Sequence, residues 1–149
     1  MKLKELCTPD VVYCTAQISA LHAAHLMRER HVGDLVIIDE SEQTPAPIGI
    51  VTDRDIVVEV LAKDLDPATT PVGQIMRTPL VIARTSEEAD NALERMRAHG
   101  VRRIPVLDEH EQLTGILSLD DLLKRLAADA AGLADIVTRE QDREHRLRR

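Results

Sequence analysis

The sequence predicts an α+β fold built from two β-α-β-β-α repeats packed with pseudo-two-fold symmetry. Three observations carry that reading. The stretch Gly49-Ile50-Val51-Thr52-Asp53-Arg54-Asp55 reads as the end of an apolar strand and a polar turn, and apolar residues at 56, 57, 60 and 61 then continue at helical spacing. Gly115-Ile116-Leu117-Ser118-Leu119-Asp120-Asp121 repeats it, followed by Leu122, Leu123, Leu126 and Ala127. The likeness also extends upstream. At an offset of 69 (75 minus 6) Leu6 meets Ile75, Cys7 meets Met76, Val12 meets Val81, Met27-Arg28 meets Met96-Arg97 and Asp39-Glu40 meets Asp108-Glu109. Past the hairpin the offset drops to 66 (115 minus 49), because the first copy carries three extra residues near Pro45-Ala46-Pro47. A hairpin loop tolerates such an insertion.

Each copy opens with a short lead-in, residues 3–8 and 72–78, expected to precede a first strand, Val11-Val12-Tyr13-Cys14 or Leu80-Val81-Ile82-Ala83. A helix follows with Ala20, Ala23, Ala24 and Met27 on one stripe, matched by Ala89, Ala92, Leu93 and Met96. Thr85-Ser86-Glu87-Glu88 has the spacing of a capping box for the second of these helices. The hairpins pair Leu35-Val36-Ile37-Ile38 with Ile48-Gly49-Ile50-Val51, and Arg103-Ile104-Pro105-Val106-Leu107 with Leu113-Thr114-Gly115-Ile116-Leu117. The amphipathic helix already described closes each copy. A unit of about 60 residues buries too little by itself, so the two copies are expected to pack face to face. The division is 1–63 for the first repeat, 64–71 for a polar linker, 72–130 for the second repeat and 131–149 for a helical or frayed tail.

Composition narrows the function. The chain has 149 residues, is 44% hydrophobic and 30% charged, and has Tyr13 as its one aromatic residue. It offers no rows of aromatic rings for stacking single-stranded nucleic acid. A net charge of -7 argues against phosphate-backbone binding as its main task. No apolar run follows the first lysines as a signal peptide requires, and none reaches the length of a membrane span, so a cytoplasmic protein is expected. Cys7 and Cys14 have neither zinc nor redox spacing and read as small apolar residues. His22 and His25, three apart, fall opposite the apolar stripe and are expected in solvent, not on a metal. No nucleophile–base constellation and no glycine-rich phosphate loop is found, so no catalytic residue is assigned.

The paired Gly-apolar-apolar-Thr/Ser-x-x-Asp turns, the strand Val101-Arg102-Arg103-Ile104-Pro105-Val106-Leu107-Asp108 and the lead-in Ile75-Met76-Arg77-Thr78-Pro79 resemble the cystathionine beta-synthase (CBS) domain. The tandem resembles a Bateman module, and the likeness covers roughly residues 1–130. The first copy, with Thr52-Asp53-Arg54-Asp55-Ile56-Val57, is similar to small stand-alone bacterial members. The resemblance implies a regulatory module that binds AMP, ADP, ATP, NAD or S-adenosylmethionine between its copies, forms a homodimer and signals to an unidentified protein partner; with no catalytic or metal-ligand constellation in the sequence, no enzyme activity, required cofactor or metal is expected.

By that resemblance Asp55 and Asp121 match the ribose-binding position, where one carboxylate accepts from two vicinal hydroxyls. Thr52 and Ser118 are expected to donate to phosphate oxygens, with Arg54, Arg102 and Arg103 supplying positive charge. Val12, Tyr13 and Ile37 in the first copy, and Val81, Ile82 and Val106 in the second, are the candidates for an adenine slot. The Asp55 site is the stronger of the two, because Asp120 stands where the first copy has Arg54. Two rival readings remain: a structural or interaction module whose aspartates only cap helices, and a nucleic-acid-binding regulator using the tail arginines 139, 143, 146, 148 and 149.

Overall fold

In a computed structural model, which describes residues 2–41 and 43–148, the chain forms two three-stranded sheets. The first repeat contains β1 (Tyr13–Thr15), α1 (Ala20–Arg30), β2 (Asp34–Asp39), β3 (Ala46–Thr52) and α2 (Asp53–Glu59). The second contains β4 (Ala83–Arg84), α3 (Ala89–His99), β5 (Arg103–Leu107), β6 (Leu113–Ser118) and α4 (Leu119–Leu147). In each sheet the first strand runs parallel to the second, and the second pairs antiparallel with the third. The predicted α+β repeat pair is therefore the fold.

The first strands begin later than expected, at Tyr13 and Ala83. The three extra residues are shared out: β2 and β3 are each one residue longer than β5 and β6 (six against five, seven against six), and the loop between them gains one. Both hairpins carry a bulge at the same point, between Ile37 and Ile38 and between Val106 and Leu107. Ser19 caps α1 by accepting from His22 N–H. The capping box expected at Thr85 does not form, because α3 starts at Ala89 with Glu88 as its N-cap and no side-chain cap bond. Glu88 instead pairs with Lys2 (2.6 Å), which pulls its carboxyl down to about 2. Helices α1 and α3 both end on a left-handed residue, His31 (φ 55°) and Gly100 (φ 61°), at equivalent positions.

The lead-ins cross over. Leu3 is fully buried in the core of the second repeat, with Leu6 and Cys7 packed against it, whereas Val72, Ile75 and Met76 pack in the core of the first. Thr8 exchanges backbone hydrogen bonds with Ile116 of β6 (2.9 and 3.0 Å), and Arg77 N–H donates to Ile50 of β3 (2.9 Å). This exchange explains the glycine of the repeated motif. A Cβ on Gly49 would lie 2.6 Å from Met76 Sδ, and one on Gly115 would lie 2.8 Å from Cys7 Sγ and 3.0 Å from the Thr8 carbonyl oxygen. The bare backbone lets the other copy's lead-in approach.

The closing helices bury less than their spacing suggests. In α2 Ile56 and the flanking Val60 are buried while Val57 and Leu61 are exposed. In α4 Leu122 is half-buried, and Leu123, Leu126 and Ala127 face solvent. The β-branched run Val57-Val58 disfavours continuation of α2. The chain then folds back, with Ala20 N–H on the Thr70 carbonyl (2.8 Å) and Leu21 N–H on that of Pro67 (3.0 Å). No such turn stops the alanine- and leucine-rich α4, which runs on to Leu147. His22 and His25 are exposed, as expected, while Leu26, between His25 and Met27, packs against the first core.

Candidate functional site

Two clefts lie where the copies meet, and the crossed lead-ins make each a joint product of both. One, of about 340 Å³, takes Ile50, Thr52, Asp53 and Arg54 from the β3–α2 turn, Arg77 from the second lead-in and residues 100–103 from the turn into β5. The other, of about 310 Å³, takes Ile116, Ser118, Asp120, Asp121 and Lys124 from the β6–α4 turn, Thr8, Asp10, Val11 and Val12 from the first lead-in, and residues 31–34 together with Arg103. Each Thr/Ser-x-x-Asp turn thus faces the other copy's lead-in, and Val12 lies with Ser118 and Asp121.

The sign of charge separates the clefts. Arg54, Arg77, Arg102 and Arg103 surround the first, with Asp53 opposing them. At the same offsets the second has Asp120, Thr8, Gly33 and Asp34 in their places, so each arginine has a non-basic counterpart. Arg103 and Asp34 are themselves equivalent positions and bond to one another (Nε to Oδ1, 3.0 Å), which puts the pair on the pseudo-two-fold axis. Burial pushes the Asp34 carboxyl up; the Arg103 guanidinium opposes this and Asp53 adds to it. Arg102 reaches Asp120 (3.2 Å) at an exposed rim.

Asp55 is 6% exposed and its two oxygens are both engaged. Oδ2 accepts from Thr52 N–H (2.9 Å), while Thr52 Oγ1 accepts from Asp55 N–H (3.2 Å), completing a capping box. Oδ1 accepts from Arg77 Nε (3.0 Å), and Arg77 Nη2 lies 3.0 Å from the same oxygen as an ion-pair contact. The Thr52 hydroxyl accepts here and so keeps its own proton to donate. Ser118 differs: its hydroxyl donates to Asp121 Oδ2 (2.6 Å), which also takes a longer bond from Thr8 Oγ1 (3.4 Å). Its proton is therefore already committed. Arg77 stands in the second copy's lead-in motif and was not among the expected site residues. No local sequence signal marks it, because its contact with Asp55 depends on the crossed lead-ins.

The adenine candidates scatter. Ile37 and Val106 are fully buried in the cores of their own repeats, so their side chains line no crevice, which corrects that assignment. Strands β2 and β5 are central in their sheets, and burial on both faces follows. Tyr13 is 56% exposed and borders a separate crevice of about 370 Å³ with Pro9, Val11, Ile38 and Leu113. Val81 and Ile82 are half-buried; Val81 packs against the second core, and the Ile82 carbonyl accepts from Arg95. Cys14 is buried, and desolvation raises its thiol to about 11. Among the described residues no group of three or more His, Cys, Asp or Glu is placed to hold a metal ion.

Comparison with known proteins places these clefts in context. The CBS domain family model matches residues 3–62 and 72–128. An uncharacterized Bacillus subtilis protein, YlbB, is 36% identical over 134 residues, covering 89% of this chain and 88% of its own length. A Methanopyrus kandleri relative, MK0525, is 32% identical over 80% of this chain, which spans 60% of that longer protein. The crystal structure of Hypoxic Response Protein I with two coordinated zinc ions superposes with a TM-score of 0.71 at 30% identity, covering 84% of this chain and 98% of its own. A CBS domain pair solved with 5'-methylthioadenosine and S-adenosyl-L-methionine shares the fold, with a TM-score of 0.75 at 22% identity over 87% of this chain and 98% of its own.

Proposed function

This chain belongs to the CBS domain family, and we propose that it is a regulatory module holding an adenosine nucleotide in the cleft of Thr52, Arg54, Arg77, Arg102 and Arg103. The observation that supports this most is the gathering of four arginines from both copies around one hydroxyl that still has a proton to give. Polyphosphate is the chemistry that four guanidinium groups suit. The cleft favours ATP, ADP, AMP and NAD over S-adenosylmethionine, whose sulfonium adds a positive charge among the arginines. Its volume of about 340 Å³ lies within the range of small-molecule sites. Ile50 and Val101 supply an apolar wall for the base.

Asp55 cannot grip a ribose while Arg77 occupies Oδ1. We read the pair as an exchange: the ribose hydroxyls take Asp55 Oδ1, and Arg77 swings to the phosphates. Arg77, half-exposed, has room to move where Asp55 has not. The exchange alters the link between β3 of one copy and the lead-in of the other. That is the change in conformation or assembly a protein partner would read, and a ligand biases it only by its difference in affinity for the two states. In the second cleft Asp10, Asp34, Asp120 and Asp121 outnumber Arg103 and Lys124 and so oppose an anion, and Asp121 is tied to the Ser118 cap. We take the protein to be a non-catalytic, cytoplasmic homodimer, and among the described residues no helix is long and apolar enough to cross a membrane.

Calorimetric titration with ATP, ADP, AMP, NAD and S-adenosylmethionine tests the reading. Heat with the phosphate-bearing ligands, reduced by Asp55→Ala and by 2'-deoxy-ATP, supports it. No heat with any of the five leaves a purely structural module.

A further inference from the structure

Helix α4 carries a second pattern, independent of the clefts. Leu119, Leu123, Leu126, Ala130, Leu133 and Val137 follow one another at intervals of four, three, four, three and four residues. That alternation is the 3.5-residue repeat of a coiled-coil seam. It ends where Glu140 and Glu144 take the next seam positions. Past its half-buried first turn the helix is exposed along its length, including Leu123, Leu126, Leu133, Ile136 and Val137. Its outer flank is satisfied locally by the pairs Arg125–Asp129 and Arg139–Asp135 at i, i+4. The repeat symmetry sets the difference out. Val60 in the first copy is fully buried beneath the returning chain, whereas its equivalent, Leu126, is 66% exposed because α4 does not turn back.

We propose that this seam is covered by α4 of a second copy, forming a two-helix zipper that joins two protomers through residues 123–137. A seam with this periodicity takes a helix with the same periodicity, and among the described residues α4 is the one helix that carries it. The area fits as well. Five large aliphatic side chains, with Ala127, Ala130 and Ala134 between them, hide on the order of 500 Å² per copy. The total of about 1,000 Å² across both copies reaches the lower bound of a specific interface. The small alanines let the two helices approach closely. This deepens the homodimer reading by naming its surface, and it does not depend on nucleotide binding.

Light scattering on a sizing column and sedimentation velocity of the full chain test it. The parent is expected to run as a dimer at micromolar concentration. Leu126→Glu/Leu133→Glu is expected to run as a monomer and lose helical circular dichroism, because an unpaired exposed helix frays. Ala128→Glu, on the opposite face, is expected to stay dimeric. Leu133→Ala, a milder change, is expected to weaken the dimer at least about tenfold while leaving the melting of the body intact. A monomeric parent overturns the proposal. A dimer that survives the double glutamate variant retains the homodimer but overturns the seam, as does a dimer that Ala128→Glu breaks equally.

Discussion

Removing Arg77 gives opposite expectations for two ligands that differ only in phosphate. In the unliganded chain its guanidinium holds Asp55 Oδ1 through two 3.0 Å contacts. In the proposed exchange, binding breaks that pair and a nucleotide's phosphates receive the freed arginine. In Arg77→Ala the phosphates lose one charge-assisted hydrogen-bonding group, worth about 1.5–3 kcal/mol. The Arg77 side chain is 51% exposed, so solvent screening favours the lower end, a weakening of about 10–30-fold for ATP. Adenosine carries no phosphate and finds Asp55 already open, so its affinity is expected to stay level or rise by up to about tenfold. The variant also leaves a buried carboxylate oxygen unpartnered, costing about 1–3 kcal/mol of stability, so the comparison belongs well below its melting temperature. Calorimetric titration of parent and variant with both ligands at one salt concentration reads the result. Equal losses for ATP and adenosine, or no loss for ATP, would refute the exchange.

Three further expectations follow from the fold. Gly115→Ala is expected to cost about 1–3 kcal/mol, because its methyl meets the Thr8 backbone and Cys7; Gly49→Ala is expected to cost less, since it meets a flexible methionine. Thermal melting should show the larger drop for Gly115, about 2–4 °C per kcal/mol, and the reverse order would contradict the crossed lead-ins. His31→Gly is expected to stabilise by about 0.5–1 kcal/mol, since the second repeat already uses Gly100 for the same left-handed cap; denaturant melts with an unchanged or lowered midpoint would count against it. The Glu88 carboxyl, held near 2 chiefly by Lys2, is ionised when folded and contributes stability above the ordinary value of 4.5, lost as pH falls toward 2. Lys2→Ala should move its titration upward by NMR, and an unmoved midpoint would show that Lys2 is not the cause.

The repeat was legible because hydrophobic periodicity and the Thr/Ser-x-x-Asp turns are local in sequence. The hairpins and the helix starts at Thr52 and Ser118 followed from short-range chemistry, whereas the cap expected at Thr85 did not form. The crossing of the lead-ins was not legible, because Leu3 and Val72 look the same whichever core receives them. That one exchange decides which residues share a cleft, and it sets Val12 beside Ser118 and Asp121 of the other copy. Ile37 and Val106 show the related limit: an apolar residue on a central strand reads alike whether it lines a slot or fills a core. Arg77 was hidden because its partner Asp55 stands 22 residues earlier and the two meet only through the crossed lead-ins. The four arginines were visible singly, but their convergence required the dyad.

The central claim is that an adenosine nucleotide lies between the copies with its sugar on Asp55 and its phosphates among the arginines. A crystal structure of the chain grown with ATP tests this in one step. The account predicts ribose oxygens within hydrogen-bond reach of Asp55 Oδ1 and Arg77 turned onto the phosphates. Nucleotide seated in the Tyr13 crevice or beside Asp121, with the Arg77–Asp55 pair still closed, would contradict it.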